Sequence, residues 1–298
     1  MTWLAYALAT PVLYCVAVFI DKIVLGKKIS DPLIMTLLSG AIMGLMGISF
    51  ALFFGLKDIG FIQTLALIAS GVLALFYILP YFYALRLDDA SRIVPLFQLS
   101  PLYVLIFSSL FLHEVLSGKQ LIGFFLILAG SFLISAQKLE SGFFKLRPAF
   151  WYMALAGLMY AGVGLLFRYV VREQSFWVTA TYLFMGSGLA TFPLFLFLHS
   201  RGSLSRHIGD HKPVFILITL SNLLAALALL SQSFALSLAS TPLVYIVAGI
   251  QPFIMLLFTF ISTLWIPHVL REDTSRLTVF NKLFSIFLIF SGLYFIYL

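Results

Sequence analysis

Charged residues are scarce in this sequence of 298 residues. They make up 10% of the chain, whereas a soluble domain carries about 25%. Hydrophobic residues make up 62%, and a soluble fold of this length cannot bury that much apolar surface. The composition therefore excludes an ordinary soluble protein and predicts an integral membrane protein whose main solvent is lipid.

Cysteine is nearly absent as well. Cys15 is the single cysteine, which excludes an intrachain disulfide and a cysteine-based metal site, so we expect a small buried side chain. The apolar run that begins at Trp3 has no basic segment before it and no small-residue cleavage pattern after it. We therefore expect this run to be a first membrane span rather than a removed signal peptide.

Motifs of catalysis and nucleotide binding are also missing. The sequence contains no HExxH, no GxSxG, no clustered aspartates for lipid phosphotransfer and no set of Cys and His ligands, so we expect neither an enzyme nor a bound cofactor or metal. The net charge of +7 is spread over short connections. That spread argues against a nucleic-acid partner and favours contact with anionic membrane lipids.

Apolar runs without Asp, Glu, Lys or Arg fill most of the chain. Each run is long enough, or nearly long enough, for a membrane helix, and none alternates with the period of two that a barrel wall requires. The runs are Trp3–Ile20, Leu33–Phe54, Phe61–Leu85, Ile93–Leu112, Leu121–Ala136, Phe150–Phe167, Phe176–Leu198, Val214–Leu236, Leu243–Ile266 and Leu283–Leu298. We predict an all-α membrane protein with about ten spans, of which the fifth and tenth are the shortest.

The basic residues predict an orientation. Fourteen Lys and Arg lie in the connections after spans 1, 3, 5, 7 and 9, and four lie on the other side, namely Lys57, Lys119, Arg168 and Arg172. By the positive-inside rule the richer side is cytoplasmic, so both termini are predicted to lie outside. We predict that the membrane is the cytoplasmic (inner) membrane.

The two halves of the sequence resemble each other. Ala84 begins the sequence Ala-Leu-Arg-Leu and precedes Pro101 by the same interval that separates Ala235, at the start of Ala-Leu-Ser-Leu, from Pro252. We therefore predict one repeat over 1–136, a connecting loop over 137–149 and a degenerate repeat over 150–298. Because five spans per repeat is an odd number, the second repeat would enter the membrane inverted, as in many secondary transporters.

Several short segments carry a family resemblance. They are Phe82–Leu85, Ala90-Ser91, Ser100–Leu102, His113–Ser117, Gln120–Gly123 and Ala129-Gly130. In order and spacing they resemble the EamA domain of the drug/metabolite transporter superfamily over roughly residues 70–136. A weaker second copy covers roughly 220–298, where a longer connection, Pro267–Arg276, replaces the turn that contains Glu114.

The resemblance implies ten helices in two inverted five-helix repeats, and transport of metabolites such as amino acids or nucleotide-sugar-like compounds. It also implies that Glu114 closes a helix hairpin and does not touch the cargo. Many relatives keep both termini in the cytoplasm, which is opposite to the orientation that the charge count predicts.

Polar side chains inside the runs are the candidates for a solute path, because at membrane depth each needs a partner, water or cargo. The predicted substrate-binding residues are Tyr14, Tyr77, Tyr81, Gln98, Tyr160, Arg168, Asn222, Gln232, Tyr245 and Gln251. Asp21 is the candidate for a coupling proton and Arg168 for an anionic group of the cargo. Each also has an ordinary interpretation, as a contact between helices, an interfacial anchor or an interfacial charge.

We therefore predict a secondary transporter that moves a small metabolite, amino-acid-like or another polar organic solute, by alternating access. The alternative is a flippase for lipids or lipid-linked precursors on the same scaffold. An intramembrane enzyme and a purely structural subunit are less favoured. The missing nucleotide-binding motif argues against ATP as the energy source.

Overall fold

The computed structural model describes residues 2–27, 31–87, 93–136, 148–200, 212–255, 257–258 and 276–297, and over these ranges the protein is helical without strands. The helices are α1 (Thr2–Lys27), α2 (Pro32–Phe54), α3 (Phe61–Phe76), α4 (Ile78–Leu87), α5 (Leu99–Phe107), α6 (Gly118–Ala136), α7 (Pro148–Val171), α8 (Phe176–Ser200), α9 (Lys212–Leu238), α10 (Thr241–Val247) and α11 (Arg276–Tyr297). Two 3₁₀ turns, Val94–Gln98 and Ala248–Ile250, and a π-helical turn, Ser108–Leu112, complete them.

Six helical segments in the described ranges are long and apolar enough to cross a bilayer. They are Thr2–Asp21, Pro32–Phe54, Phe61–Leu87, Pro148–Val171, Phe176–His199 and Ile216–Leu238. Four shorter apolar helices are Leu96–Leu112, Gly118–Ser131, Thr241–Met255 and Leu283–Ile296. The prediction of an all-helical membrane protein is confirmed, and the shorter helices coincide with the fourth, fifth, ninth and tenth predicted runs.

Some of the predicted features fall outside the described residues. These are the connections at 137–147 and 201–211, the segment 259–275 with most of the predicted long connection, and the Ala90-Ser91 pair. They include many of the basic residues that predict the orientation.

Prolines interrupt two of the membrane segments. Pro80 has no N–H to donate to the carbonyl of Phe76, and the helix breaks between α3 and α4 at Tyr77. Pro101 likewise leaves the carbonyl of Phe97 without its helical donor, and the Ser100 hydroxyl donates to that carbonyl over 2.6 Å. Both breaks bring backbone and polar side chains to the centre of the bundle, where a cavity can satisfy them.

Glycines allow the closest helix contacts. α2 packs along α8, α1 along α9, and α6 along α11, while α3 lies against both α7 and α8. A Cβ atom placed on Gly44 of α2 would lie 2.9 Å from the Cα of Gly188 in α8. The backbones therefore meet without a side chain between them, as in the small-residue interfaces of membrane helices.

Candidate functional site

A cavity lies at the centre of the bundle. Its volume is about 60 Å³. Since one water needs about 10–15 Å³ of such volume, the cavity has room for roughly four to six waters or a compact solute. Its polar lining consists of Tyr14, Asp21, Ser39, Tyr77, Tyr81, Gln98, Ser100, Tyr160, Asn222 and Gln251.

The cavity brings together most of the side chains that the sequence singles out. Tyr14, Asp21, Tyr77, Tyr81, Gln98, Tyr160, Asn222 and Gln251 all line it. Gln232 and Tyr245 lie behind the wall, next to Tyr160. Arg168 and Glu114 lie away from the cavity and contact each other.

Tyr160 of α7 is the centre of an aromatic wall. Its ring centroid lies 5.0 Å from that of Tyr77, 6.3 Å from Tyr14 and 6.2 Å from Phe97. The rings of Tyr14 and Phe97 meet that of Tyr160 edge-to-face, an arrangement that aromatic pairs prefer, and the ring of Tyr77 is tilted at 51° to it. Tyr160 therefore joins the three other rings into one aromatic wall.

Two residues behind the wall fix the position of Tyr160. The Tyr160 hydroxyl donates to Oε1 of Gln232, and the Tyr245 hydroxyl donates to the carbonyl of Tyr160 over 2.7 Å. Gly164 leaves the space for Tyr245, since a Cβ at that position would collide with its hydroxyl. Gln232 and Tyr245 therefore support the wall and do not face the cavity.

Asp21 supplies a carboxylate near the end of α1 that lines the cavity. It is 5% exposed, accepts a hydrogen bond from the Ser221 hydroxyl and accepts another from the Tyr81 hydroxyl over 3.3 Å. Among the described side chains, no cation pairs with it. A buried carboxylate without a countercharge is costly, so it needs a proton or a ligand cation.

Two amide side chains of the cavity lining have polar atoms without a partner among the described residues. Gln98 is 2% and Asn222 is 4% exposed, and neither Oε1 of Gln98 nor Nδ2 of Asn222 finds a hydrogen-bond partner among the described residues. The other end of the Asn222 amide accepts a hydrogen bond from the Ser39 hydroxyl. Buried polar atoms in this state are the ones that a bound solute or water would satisfy.

The structure does not bring Arg168 to the cavity. Its Nε donates to Oε1 of Glu114 over 2.9 Å, and its Nη1 donates to the carbonyl of Leu236 over 2.6 Å. The guanidinium therefore neutralises a carboxylate of the protein and caps the last turn of α9. An anionic cargo group in the cavity does not reach this side chain.

Glu114 accepts hydrogen bonds from two further donors besides Arg168. Arg172 donates to Oε1 of Glu114 and also, over 3.1 Å, to the carbonyl of Leu112. The N–H of Thr241, at the first turn of α10, donates to Oε2 over 2.7 Å. Burial raises the pKa of the Glu114 carboxyl, but the hydrogen bonds from Arg168, Thr241 and Arg172 outweigh it, so the pKa lies below its ordinary value of 4.5.

Sequence reasoning missed four residues of the site. Ser39, Phe97 and Ser100 line the cavity, and Ser221 holds Asp21. Ser221 stands directly beside Asn222, and this polar pair within an apolar run was the signal that could have found it. Phe97 and Ser100 reach the cavity because the helix breaks near Pro101. Ser39 reaches it because α2 contacts the centre of the bundle.

A helical membrane bundle with a cavity lined by buried polar side chains has the architecture of a membrane transporter. The chain belongs to the EamA-like transporter family, which its residues 1–136 match. It is an integral membrane protein, as the family and the apolar helices show together.

The chain is also similar to two further proteins. A protein of Methanocaldococcus jannaschii of uncharacterized function is 34% identical over 139 residues, which are 45% of this chain and 96% of that protein. A solved crystal structure superposes with a TM-score of 0.71 at 16% identity and covers 98% of this chain and 94% of that chain. At this identity the second similarity is one of fold, and it extends over both halves.

Proposed function

We propose that the protein is a secondary transporter that moves a small polar organic solute across the membrane by alternating access, with the central cavity as its binding site. The observation that carries this proposal is the cavity lining. It joins Tyr14, Asp21 and Gln98 of the first half to Tyr160 and Asn222 of the second, and leaves buried amide atoms without partners.

The contacts between α2 and α8 support two inverted halves. Gly40 faces Thr191, Gly44 faces Gly188 and Gly47 faces Met185, so higher numbers in one helix meet lower numbers in the other. The two helices are therefore antiparallel. They are the second spans of the two proposed halves. Equivalent spans of two successive repeats run antiparallel only when each repeat crosses the membrane an odd number of times.

The contacts between α6 and α11 support the same arrangement. A Cβ on Gly123 would lie 2.6 Å from the carbonyl oxygen of Gly292, and a Cβ on Gly130 would lie 2.7 Å from that of Ser285. In the sequence, residues 121–134 match residues 283–296 at a constant interval, which pairs Gly130 with Gly292 and Gly123 with Ser285. A two-fold axis therefore exchanges these two contacts. The matched 139 residues make up 96% of the archaeal relative, so that protein is about as long as one half of this chain.

The two ends of the bundle differ, as alternating access requires. The cavity follows α1 from Tyr14 to Asp21, which is about 10 Å toward the end of that helix. At the opposite end, Glu114 ties the turn after the π-helical segment to Arg168 of α7 and to Thr241 of α10. We propose that this end opens only when Glu114 releases these partners.

The predicted role of Asp21 in proton coupling stays a prediction, and a carboxylate without a described cation partner supports it. The test is uptake driven by an imposed pH gradient in proteoliposomes. Asp21→Asn is expected to abolish the effect of the gradient. An unchanged response of this variant would overturn the assignment.

Proteoliposomes also test the transporter itself. We expect vesicles with the purified protein to take up at least one small labelled solute from a panel of amines, amino acids and sugars. The variant Gln98→Ala is expected to lower this uptake at least tenfold, whereas Lys57→Ala, at an exposed position, leaves it unchanged. Fluorescent lipid reporters in the same vesicles test the flippase alternative. Lipid movement without uptake of any soluble compound would overturn the proposal.

A further inference from the structure

We infer that the cargo is a small organic monocation whose ammonium group binds at Asp21 and along the ring faces of Tyr81, Phe97 and Tyr160. This inference rests on the proposed function, because it takes the central cavity to be the cargo site.

The charges of the lining carry the first step. Asp21 is the only acidic residue among the described lining residues, and these include no Lys, Arg or His. Arg168, which the sequence analysis proposes for binding an anionic cargo group, donates instead to the Glu114 carboxylate and to the carbonyl of Leu236. The described lining therefore favours a positive charge, and it offers no cationic side chain to the carboxylate of a zwitterion.

The hydrogen bonds of Asp21 leave room for this role. Among the described residues, its two donors are neutral hydroxyls, those of Ser221 and Tyr81. Neutral donors orient the carboxylate but do not cancel its charge. A bound ammonium group would supply the countercharge that the described side chains do not provide inside the bundle, where an unpaired charge is costly.

The aromatic wall carries the second step. Tyr81 donates to Asp21 and its ring lies 5.5 Å from that of Phe97, which lies 6.2 Å from Tyr160. Tyr77 extends the wall at 5.0 Å from Tyr160. Ring faces attract ammonium groups, most strongly where water is excluded. The wall therefore continues the cation-attracting surface from the carboxylate into the cavity.

Polar and steric features limit the rest of the cargo. The unpartnered Oε1 of Gln98 accepts hydrogen bonds, so it suits an N–H or O–H group of the cargo. The cavity volume of about 60 Å³ favours a compact amine over an extended molecule.

Calorimetry on the full-length protein in detergent tests the inference. The probes are ethylammonium and choline. The controls are 3,3-dimethylbutan-1-ol, which has the shape of choline without its charge, and glycine betaine, which adds a carboxylate. We expect at least one cation to bind tenfold or more tightly than the neutral and zwitterionic controls.

Three variants identify the groups responsible. Asp21→Asn is expected to lose the preference for the cation, and Asp58→Asn, the same change at an exposed position, keeps it. Tyr81→Leu is expected to weaken cation binding at least threefold and to leave the neutral control unaffected. Should Asp21→Asn fail to fold, as judged by its elution profile and circular dichroism, Tyr81→Leu decides alone. Equal binding of cation and neutral isostere by the wild type, or a preference that survives in both cavity variants, overturns the inference.

The binding and transport experiments can overturn the inference and the proposed function independently of each other. Uptake of a neutral or anionic solute by a protein that binds no cation would overturn the inference and leave the proposed function standing. Selective cation binding without uptake of any solute would overturn the proposed function and leave the cation site standing.

Discussion

Arg168 donates from Nε to the carboxylate of Glu114 over 2.9 Å, and this ion pair joins α7 to the turn that follows the π-helical segment. The Glu114 side chain is 7% exposed and that of Arg168 is 15% exposed. The pair is therefore shielded from water on the Glu114 side. It links two parts of the chain that are 54 residues apart, and Thr241 adds a third part to the same carboxylate.

Glu114→Gln is expected to destabilise the folded protein. Glutamine keeps an acceptor but leaves two arginines without their countercharge. We expect a loss of about 2 kcal/mol, less than the roughly 3–5 kcal/mol of a fully buried pair, because Arg172 is partly exposed. Thermal unfolding in detergent measures the change. Glu173→Gln, a neighbouring exposed carboxylate, is the control and is expected to change stability little.

The same carboxylate predicts how stability depends on pH. Its pKa is below 4.5 in the folded protein, so its contribution to stability is complete above about pH 4.5, the unfolded value. The contribution is lost as the pH falls through the lower folded pKa. We expect the difference in melting temperature between wild type and Glu114→Gln to shrink in this acidic window, and a constant difference there would contradict the assignment.

Gly44→Ala is expected to weaken the contact between α2 and α8. The new Cβ would lie 2.9 Å from the Cα of Gly188, and a backbone atom cannot turn aside as a side chain does. We expect a cost of about 1–3 kcal/mol, measured by thermal unfolding. Gly118→Ala is the matched control, since a Cβ there meets nothing within 4 Å. Equal melting temperatures for the two variants would show that the helices are less close than described.

Tyr160→Phe is expected to cost about 1–2 kcal/mol, because Gln232 then loses the donor for its buried amide oxygen. A double-mutant cycle isolates this bond. Tyr160→Phe combined with Gln232→Leu is expected to cost about 1 kcal/mol less than the sum of the single changes. Strictly additive costs would mean that the two side chains do not interact.

Single-cysteine labelling tests the predicted orientation. Cys15 is fully buried, so it contributes little background. In intact cells an impermeant thiol reagent is expected to label Lys57→Cys and to label Arg86→Cys only after lysis, since both positions are exposed but lie on opposite sides. The reverse pattern would contradict the charge count and match the cytoplasmic termini of many relatives.

The segments and most of the cavity residues were predictable because their signals are local. A charge within a bilayer is costly, so the uncharged runs mark the helices, and polar residues within those runs, such as Gln98 and Asn222, mark the cavity. The inverted halves and the ten spans stay predictions that the antiparallel contacts support.

Long-range pairing was not predictable from the sequence. Arg168 has the same charge whether it faces cargo or Glu114, and only the tertiary structure decides between them. Gln232 shows a second reason. It shares a helix face with Asn222, but ten residues place it about 15 Å further along the axis. The spacing predicts the helix face that Gln232 shares with Asn222. It does not predict that Tyr160, on another helix, lies between Gln232 and the cavity.

The meeting of Gly44 and Gly188 also has a mechanical consequence. The backbones of α2 and α8 are in direct contact around one point, between Gly44 and Gly47 of α2. They resist sliding along each other there, because a shift along the axis would bring the side chains between the glycines against the other helix. Tilting about that point is far less restricted. If the bundle rocks during its cycle, the displacement of α2 relative to α8 is smallest here and grows toward both ends, so spin labels at the two ends of these helices should change separation in opposite directions while a pair near the glycines stays constant.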